Sequence, residues 1–197
     1  MAIGVYVGTL IGNDGVAGGI SSSIVYVFDD FNRINNQTSM GNAVTGQPWE
    51  IAVDIWGILN NQAYLSTSIG TSIATIDSLQ STNIAVQCTF SINSHEQRLL
   101  FRATTTSNYW YVRRFSTNYE LHKLVAGVDT LVDTFSTSPL GGDVIRVELV
   151  GNVIAVKVNG VAALDTTDAF NQSATDHGIG SVANNTPQWD NFSVSSL

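Results

Sequence analysis

Tyr109, Trp110, Tyr111, Arg113 and Tyr119 stand close together in a stretch that reads as neighbouring β-strands. Strand alternation puts Tyr109 and Tyr111 on one face and Trp110 on the other, and one of those faces must belong to a core. Rings on the opposite face, beside Arg113 or Asn108, can stack on sugars while amides bond hydroxyls. These five residues form the candidate glycan platform. Trp56 and Trp189 are expected in the core.

Residues suited to covalent or acid–base chemistry are thin. Glu50, Glu96, Glu120 and Glu148 are scattered, and Glu148 alternates with Arg146 on an expected hairpin, where a cross-strand ion pair is its expected role. His95, His122 and His177 show neither His-x-His nor His-Glu-x-x-His spacing, so no zinc centre is expected, and His122 is placed on a sheet face. No serine nucleophile elbow is present, and the glycine-rich start lacks the Lys-Ser/Thr close of a phosphate loop. The single cysteine, Cys88, lies in a strand-like run and is expected as a small core residue. The chain is therefore read as a non-enzyme.

The elements that must position these residues are β throughout. From residue 24 onward short alternating segments follow one another, with no convincing helix and no strict repeat. Strands are expected over 84–92, 99–103, 109–115 and 119–125, among others. The clearest pairing is a meander over 144–150, 153–158 and 161–164, turned by Gly151-Asn152 and by Asn159-Gly160, the preferred type I′ dipeptide. Two matched segments stand near the ends, Val27-Phe28-Asp29-Asp30-Phe31-Asn32-Arg33 and Gln188-Trp189-Asp190-Asn191-Phe192-Ser193-Val194. Their likeness predicts a sandwich whose last strand returns beside its first. Residues 1–23 are different: rich in glycine and free of basic residues, they are expected as an extended arm able to add a strand to a neighbour's sheet edge. Residues 24–197 then form one domain.

At 197 residues with 44 % hydrophobic content, the chain can bury a substantial core. Charged residues are only 12 %, about half the usual share, so Ser, Thr, Asn and Gln must supply the polar surface. With 8 basic against 16 acidic residues the net charge is -8, which argues against nucleic-acid and anionic-membrane partners and suits a neutral polysaccharide or another protein. No apolar run approaches the ~20 residues of a membrane span, and no basic leader marks a cleavable signal.

Several motifs in order resemble the concanavalin A-like, laminin-G-like jelly rolls, in the variant common in bacteriophage structural proteins and bacterial surface modules. They are Asp30-Phe31-Asn32-Arg33, Trp56-Gly57-Ile58 with Asn60-Asn61-Gln62-Ala63-Tyr64, and Leu100-Phe101-Arg102 with Asn108-Tyr109-Trp110-Tyr111-Val112. Glu120-Leu121-His122-Lys123, Gly142-Asp143 with Arg146-Val147, and the closing Trp189-Asp190-Asn191-Phe192-Ser193-Val194 complete the series, over residues 24–197.

The resemblance implies an all-β, antiparallel two-sheet sandwich. It also implies a lectin-like virion protein on the particle surface, as capsid decoration or on the tail, bound to other virion proteins through the arm or a sandwich edge. A homo-oligomer such as a trimer and a host surface glycan are the further expected partners. The alternatives are a carbohydrate-binding module of a bacterial surface or secreted protein, or a glycoside hydrolase. Hydrolases that resemble this fold carry Glu-x-Asp-x-x-Glu on one strand, and this chain has no such run. Relatives often hold one Ca²⁺ where the first and last strands meet. Asp30 and Asp190, with Asp29 next, are the candidate calcium ligands here.

Overall fold

The computed structural model describes residues 23–68, 70–91, 96–136, 138–182 and 187–197. The arm expected over 1–23, save its last residue, lies outside the described residues, as do His95 and the end of the strand expected over 84–92.

Among the described residues all regular structure is β. The strands in chain order are β1 Val25–Asp29, β2 Glu50–Val53, β3 Ile55–Leu59, β4 Gln62–Thr67 and β5 Ser72–Asp77. Next come β6 Ile84–Phe90, β7 Arg98–Thr105, β8 Asn108–Phe115, β9 Asn118–Val125 and β10 Val128–Phe135. The last are β11 Asp143–Val150, β12 Val153–Val158, β13 Val161–Thr167, β14 Asp176–Ser181 and β15 Gln188–Ser196. They form two antiparallel sheets. One runs β13-β12-β11-β6-β15-β4-β3 with β1 added beside β15; the other runs β10-β9-β8-β7-β14-β5-β2.

The first and last strands do lie side by side. Val25 faces Ser195 and Asp29 faces Phe192, so the two matched segments become neighbours. The meander is also as expected, with β11 paired to β12 and β12 to β13. Asn159 and Gly160 both take positive φ, 52° and 78°, as a type I′ turn demands. Along β11 burial alternates, and the outward Glu148 carboxylate accepts from Lys157 across the ladder (2.8 Å) and from Arg146 on its own strand (2.9 Å).

The core lies between the sheets. Trp56 and Trp189 meet there with ring centroids 5.1 Å apart, and Cys88 is buried among the same residues, its thiol pushed well above its ordinary value by that burial. The seven-stranded sheet has a second apolar cluster. Leu99, Phe101, Trp110, Val112, Ala74 and Ile76 face the inter-sheet core, whereas the alternate residues Ile73, Leu100, Ala103, Tyr109 and Tyr111 pack together on the outer face. Because cross-strand partners share a face, Gly178, opposite Thr75 and Leu100, belongs to that outer face too. A methyl group at Gly178 would collide with the Ala74 carbonyl and the Thr75 backbone, so the floor here must stay bare.

Candidate functional site

The outer face of the seven-stranded sheet gathers most of the ion pairs among the described residues. Tyr111 lies at its centre. The Arg98 guanidinium covers the ring at 4.2 Å from its centroid, His122 stacks on it at 4.9 Å, and Tyr109 packs at 5.7 Å. Its hydroxyl donates to Asp129 (2.8 Å). The charged groups above these rings are linked without a break. Glu96 accepts from Arg98 (3.1 Å) and Arg113 (3.0 Å), and Glu120 accepts from Arg113 (2.8 Å). His122 meets Glu120 through Nε2 (2.9 Å) and Asp129 through Nδ1 (3.1 Å). Burial alone would raise the Glu120 carboxyl; the bonds from His122 and Arg113 outweigh it and hold it below its ordinary value. A carboxylate held ionised by an arginine is the opposite of a general acid.

The five platform candidates are therefore distributed differently from expectation. Trp110 and Tyr119 are core residues between the sheets, the Trp110 indole donating to the Phe170 carbonyl (3.1 Å) and the Tyr119 hydroxyl to Asp143 (2.7 Å). Neither presents a ring to a ligand. Tyr109 and Tyr111 do sit on the outer face, yet are 1 % and 0 % exposed. Arg98 and His122 cover the Tyr111 ring, which leaves no free face for a sugar to stack on. Arg113 is bound into the ionic chain between Glu96 and Glu120.

An open groove of about 170 Å³ lies beside this cluster. Ile73 and Ala103, members of the outer apolar cluster, form its apolar part. Around them stand Thr75, the hairpin threonines Thr104, Thr105 and Thr106, and the carboxyls of Glu50 and Asp176. Burial, then the charges of Asp77 and Glu50, raise the Asp176 carboxyl above its ordinary value. An apolar floor with hydroxyls and carboxylates at its rim is compatible with a sugar ring, whose C–H face packs on apolar surface and whose hydroxyls bond polar groups. None of these residues was among the sequence candidates. The run Thr104-Thr105-Thr106 was the one available signal, a polar hairpin tip after an apolar strand.

The calcium candidates meet at the junction of β1 and β15. Asp29 is fully buried and already satisfied. Arg33 forks onto both its oxygens (2.9 and 2.7 Å), Trp49 donates its indole N–H (2.7 Å), and the Phe31 amide donates as well (2.9 Å). Asp30 is turned to Asn32. Burial, then the charges of Asp30 and Asp29, raise the Asp190 carboxyl above its ordinary value. No group of three or more acidic, histidine or cysteine ligands suited to a metal occurs among the described residues. Arg33 supplies positive charge at this corner through its ion pair with Asp29.

No protein-family model matches the chain, and no curated protein matches it in sequence. Solved structures share its fold. The carbohydrate-binding module CBM66 from Bacillus subtilis superposes with a TM-score of 0.57 at 14 % identity, over 82 % of this chain and 94 % of that one. A Bacillus subtilis protein with a galectin-like fold gives 0.54 at 13 % identity, over 83 % and 99 %. The β-glucanase of Bacillus licheniformis gives 0.52 at 11 %, over 91 % and 98 %. The chain is thus a jelly-roll β-sandwich of the galectin-like, concanavalin A-like kind. Identities this low carry the fold and no more.

Proposed function

We propose that this chain is a non-enzymatic glycan-binding sandwich that holds a neutral oligosaccharide in the groove on the outer face of its seven-stranded sheet. The observation that carries this reading is the groove itself, with Ile73 and Ala103 beneath and Thr75, Thr104, Thr105, Thr106, Glu50 and Asp176 around them. The low overall charge supports a neutral ligand. That one fold neighbour is a carbohydrate-binding module agrees with it. The motif series resembles bacteriophage structural proteins, and this likeness supports reading the sandwich as a particle-surface component attached to other virion proteins through residues 1–23 or a sandwich edge. That address is read directly from an image of the assembled particle.

Calorimetry with neutral oligosaccharides selected on a glycan array tests the binding role. Wild-type protein is expected to bind and to release no reducing ends. Ala52→Arg, on the exposed strand β2 at the groove wall, sends a guanidinium toward Glu50 and Asp176 and fills the space. It is expected to weaken binding at least tenfold with the fold intact. Unchanged affinity in Ala52→Arg would remove the groove from the account.

One observation favours a second reading, a glycoside hydrolase. Asp176 is a carboxyl with a raised proton affinity in a groove that also holds Glu50, and an acid of that kind beside a second carboxylate is what glycoside cleavage uses. Reducing ends released by wild-type protein and abolished by Asp176→Asn would establish it.

A further inference from the structure

A second, larger groove opens at one end of the sandwich, about 430 Å³ in volume and lined by Ser81, Thr82, Ala169, Asn171, Gln172 and Ser173. It lies between two connections that pass from one sheet to the other: residues 78–83 between β5 and β6, and residues 168–175 between β13 and β14. Its lining carries hydroxyl and amide groups and no charged side chain. Among the described residues the side chains of Ser81, Gln172 and Ser173 make no hydrogen bond, so their donors and acceptors are available to a ligand.

The walls of this groove are fixed from below. Arg102 is fully buried, and its guanidinium donates to the carbonyls of Asp168 and Gly151, tying the β13–β14 loop to the β11–β12 turn. The Gly151 amide in turn donates to the Thr82 hydroxyl (2.7 Å), which fixes the opposite wall. Asn171 is held by its side-chain amide, which donates to the carbonyls of Arg102 (3.0 Å) and Asn108 (3.1 Å). The same amide donates to the hydroxyl of Thr104 (3.3 Å). Thr104 lines the outer-face groove and Asn171 lines the end groove. The two grooves therefore adjoin across this one hydrogen bond.

We infer that the two grooves form one binding track for a linear neutral oligosaccharide, which crosses from the outer face to the end of the sandwich over Thr104 and Asn171. This inference rests on the glycan-binding reading and extends it. Sugar units in the outer groove meet the apolar floor; units in the end groove meet hydroxyls and amides alone, an environment that selects polyhydroxylated chains over apolar or charged ones. The ligand is thereby read as a chain rather than a single terminal sugar.

The test uses full-length protein and the neutral linear oligosaccharides of two to eight units that an array carries. Wild-type affinity is expected to rise with length until both grooves are filled. The double variant Gln172→Ala with Ser173→Ala is expected to bind the shortest ligand as wild type does and the longest five- to tenfold more weakly, the loss of a few neutral hydrogen bonds. Gln172 is half-buried and Ser173 exposed, neither belongs to an apolar cluster, and an unchanged melting temperature confirms that the variant is folded. If wild type binds but affinity does not rise with length, or the double variant binds long ligands undiminished, the continuous track is overturned while the outer-face site stands. If wild type binds no neutral oligosaccharide at all, the glycan-binding reading falls and the track with it.

Discussion

Asp29→Ala lowers the unfolding free energy by about 3–5 kcal/mol, the range found when one partner of a buried ion pair is removed. The reason is local. Asp29 is 0 % exposed and accepts four hydrogen bonds, two from Arg33 and one each from Trp49 and the Phe31 amide. Removing it leaves the Trp49 and Phe31 donors facing a protein interior with no acceptor and the Arg33 guanidinium with no counter-charge. Each such orphan costs about 1–3 kcal/mol. The damage spreads along the chain because Trp49 packs on Phe31 (centroids 5.7 Å) and on Phe192 (5.1 Å), which joins the β1 corner to the closing strand. For a domain of this size the melting temperature drops by about 10 °C. Asp29→Asn keeps one acceptor oxygen and loses the charge, so roughly half the effect remains. Urea unfolding of the two variants with an unchanged m-value checks this; a loss below about 1 kcal/mol in Asp29→Ala would refute it.

Stability also falls as the solution is acidified, and His177 contributes to this above the carboxylate range. Its ring is fully buried, accepting at Nδ1 from the Arg102 amide (3.3 Å) and meeting the Gln80 carbonyl through Nε2 (3.2 Å), the arrangement of a neutral imidazole. Burial, with Arg102 nearby, depresses its pKa to about 4. In the unfolded chain it returns to ~6.5. Between those values the unfolded state binds a proton that the folded state refuses, so stability is complete above pH ~6.5 and declines as pH falls toward 4. The slope is about 1.4 kcal/mol per pH unit, or about 3 kcal/mol over the whole window. About 2 kcal/mol of this falls between pH 6.5 and 5, before the unfolded carboxylates titrate. His177→Gln preserves an acceptor and a donor and cannot take up the proton. Its stability is expected to fall less than that of wild type between pH 6.5 and 5, by about 2 kcal/mol, and a slope equal to wild type would show that His177 is not the group responsible.

The fold was legible in the sequence where the signals were short-range or repeated. The Asn159-Gly160 turn and the Arg146–Glu148 alternation identify the meander because a turn dipeptide and a period of two act on neighbours. The likeness of 27–33 to 188–194 identifies the closing pair because both strands share one corner. Which acid of Asp29-Asp30 turns inward was not legible. The chain leaves β1 with Phe31 at φ +51°, a left-handed residue, and that reversal gives Arg33 to Asp29 rather than to Asp30.

The platform failed for a different reason. Tyr109 and Tyr111 alternate with Trp110 as read, but alternation cannot show that a sheet buries aromatic rings on both faces, nor that Arg98 and His122 close over the outer pair. The groove was invisible because its walls come from β2, β5, β7 and β14, strands adjacent in space and far apart in the chain. Only the β-sheet order brings Glu50, Thr75, Thr104 and Asp176 together.

The most direct measurement of the central claim is an amide chemical-shift map of the isotopically labelled protein titrated with a neutral oligosaccharide chosen from an array. The expected map is compact: Thr75, Thr104, Thr105, Thr106 and Asp176 move, the strands of the opposite sheet stay still, and the sugar is recovered uncleaved. Shifts confined to the eight-stranded sheet, or a cleaved sugar, would contradict the account.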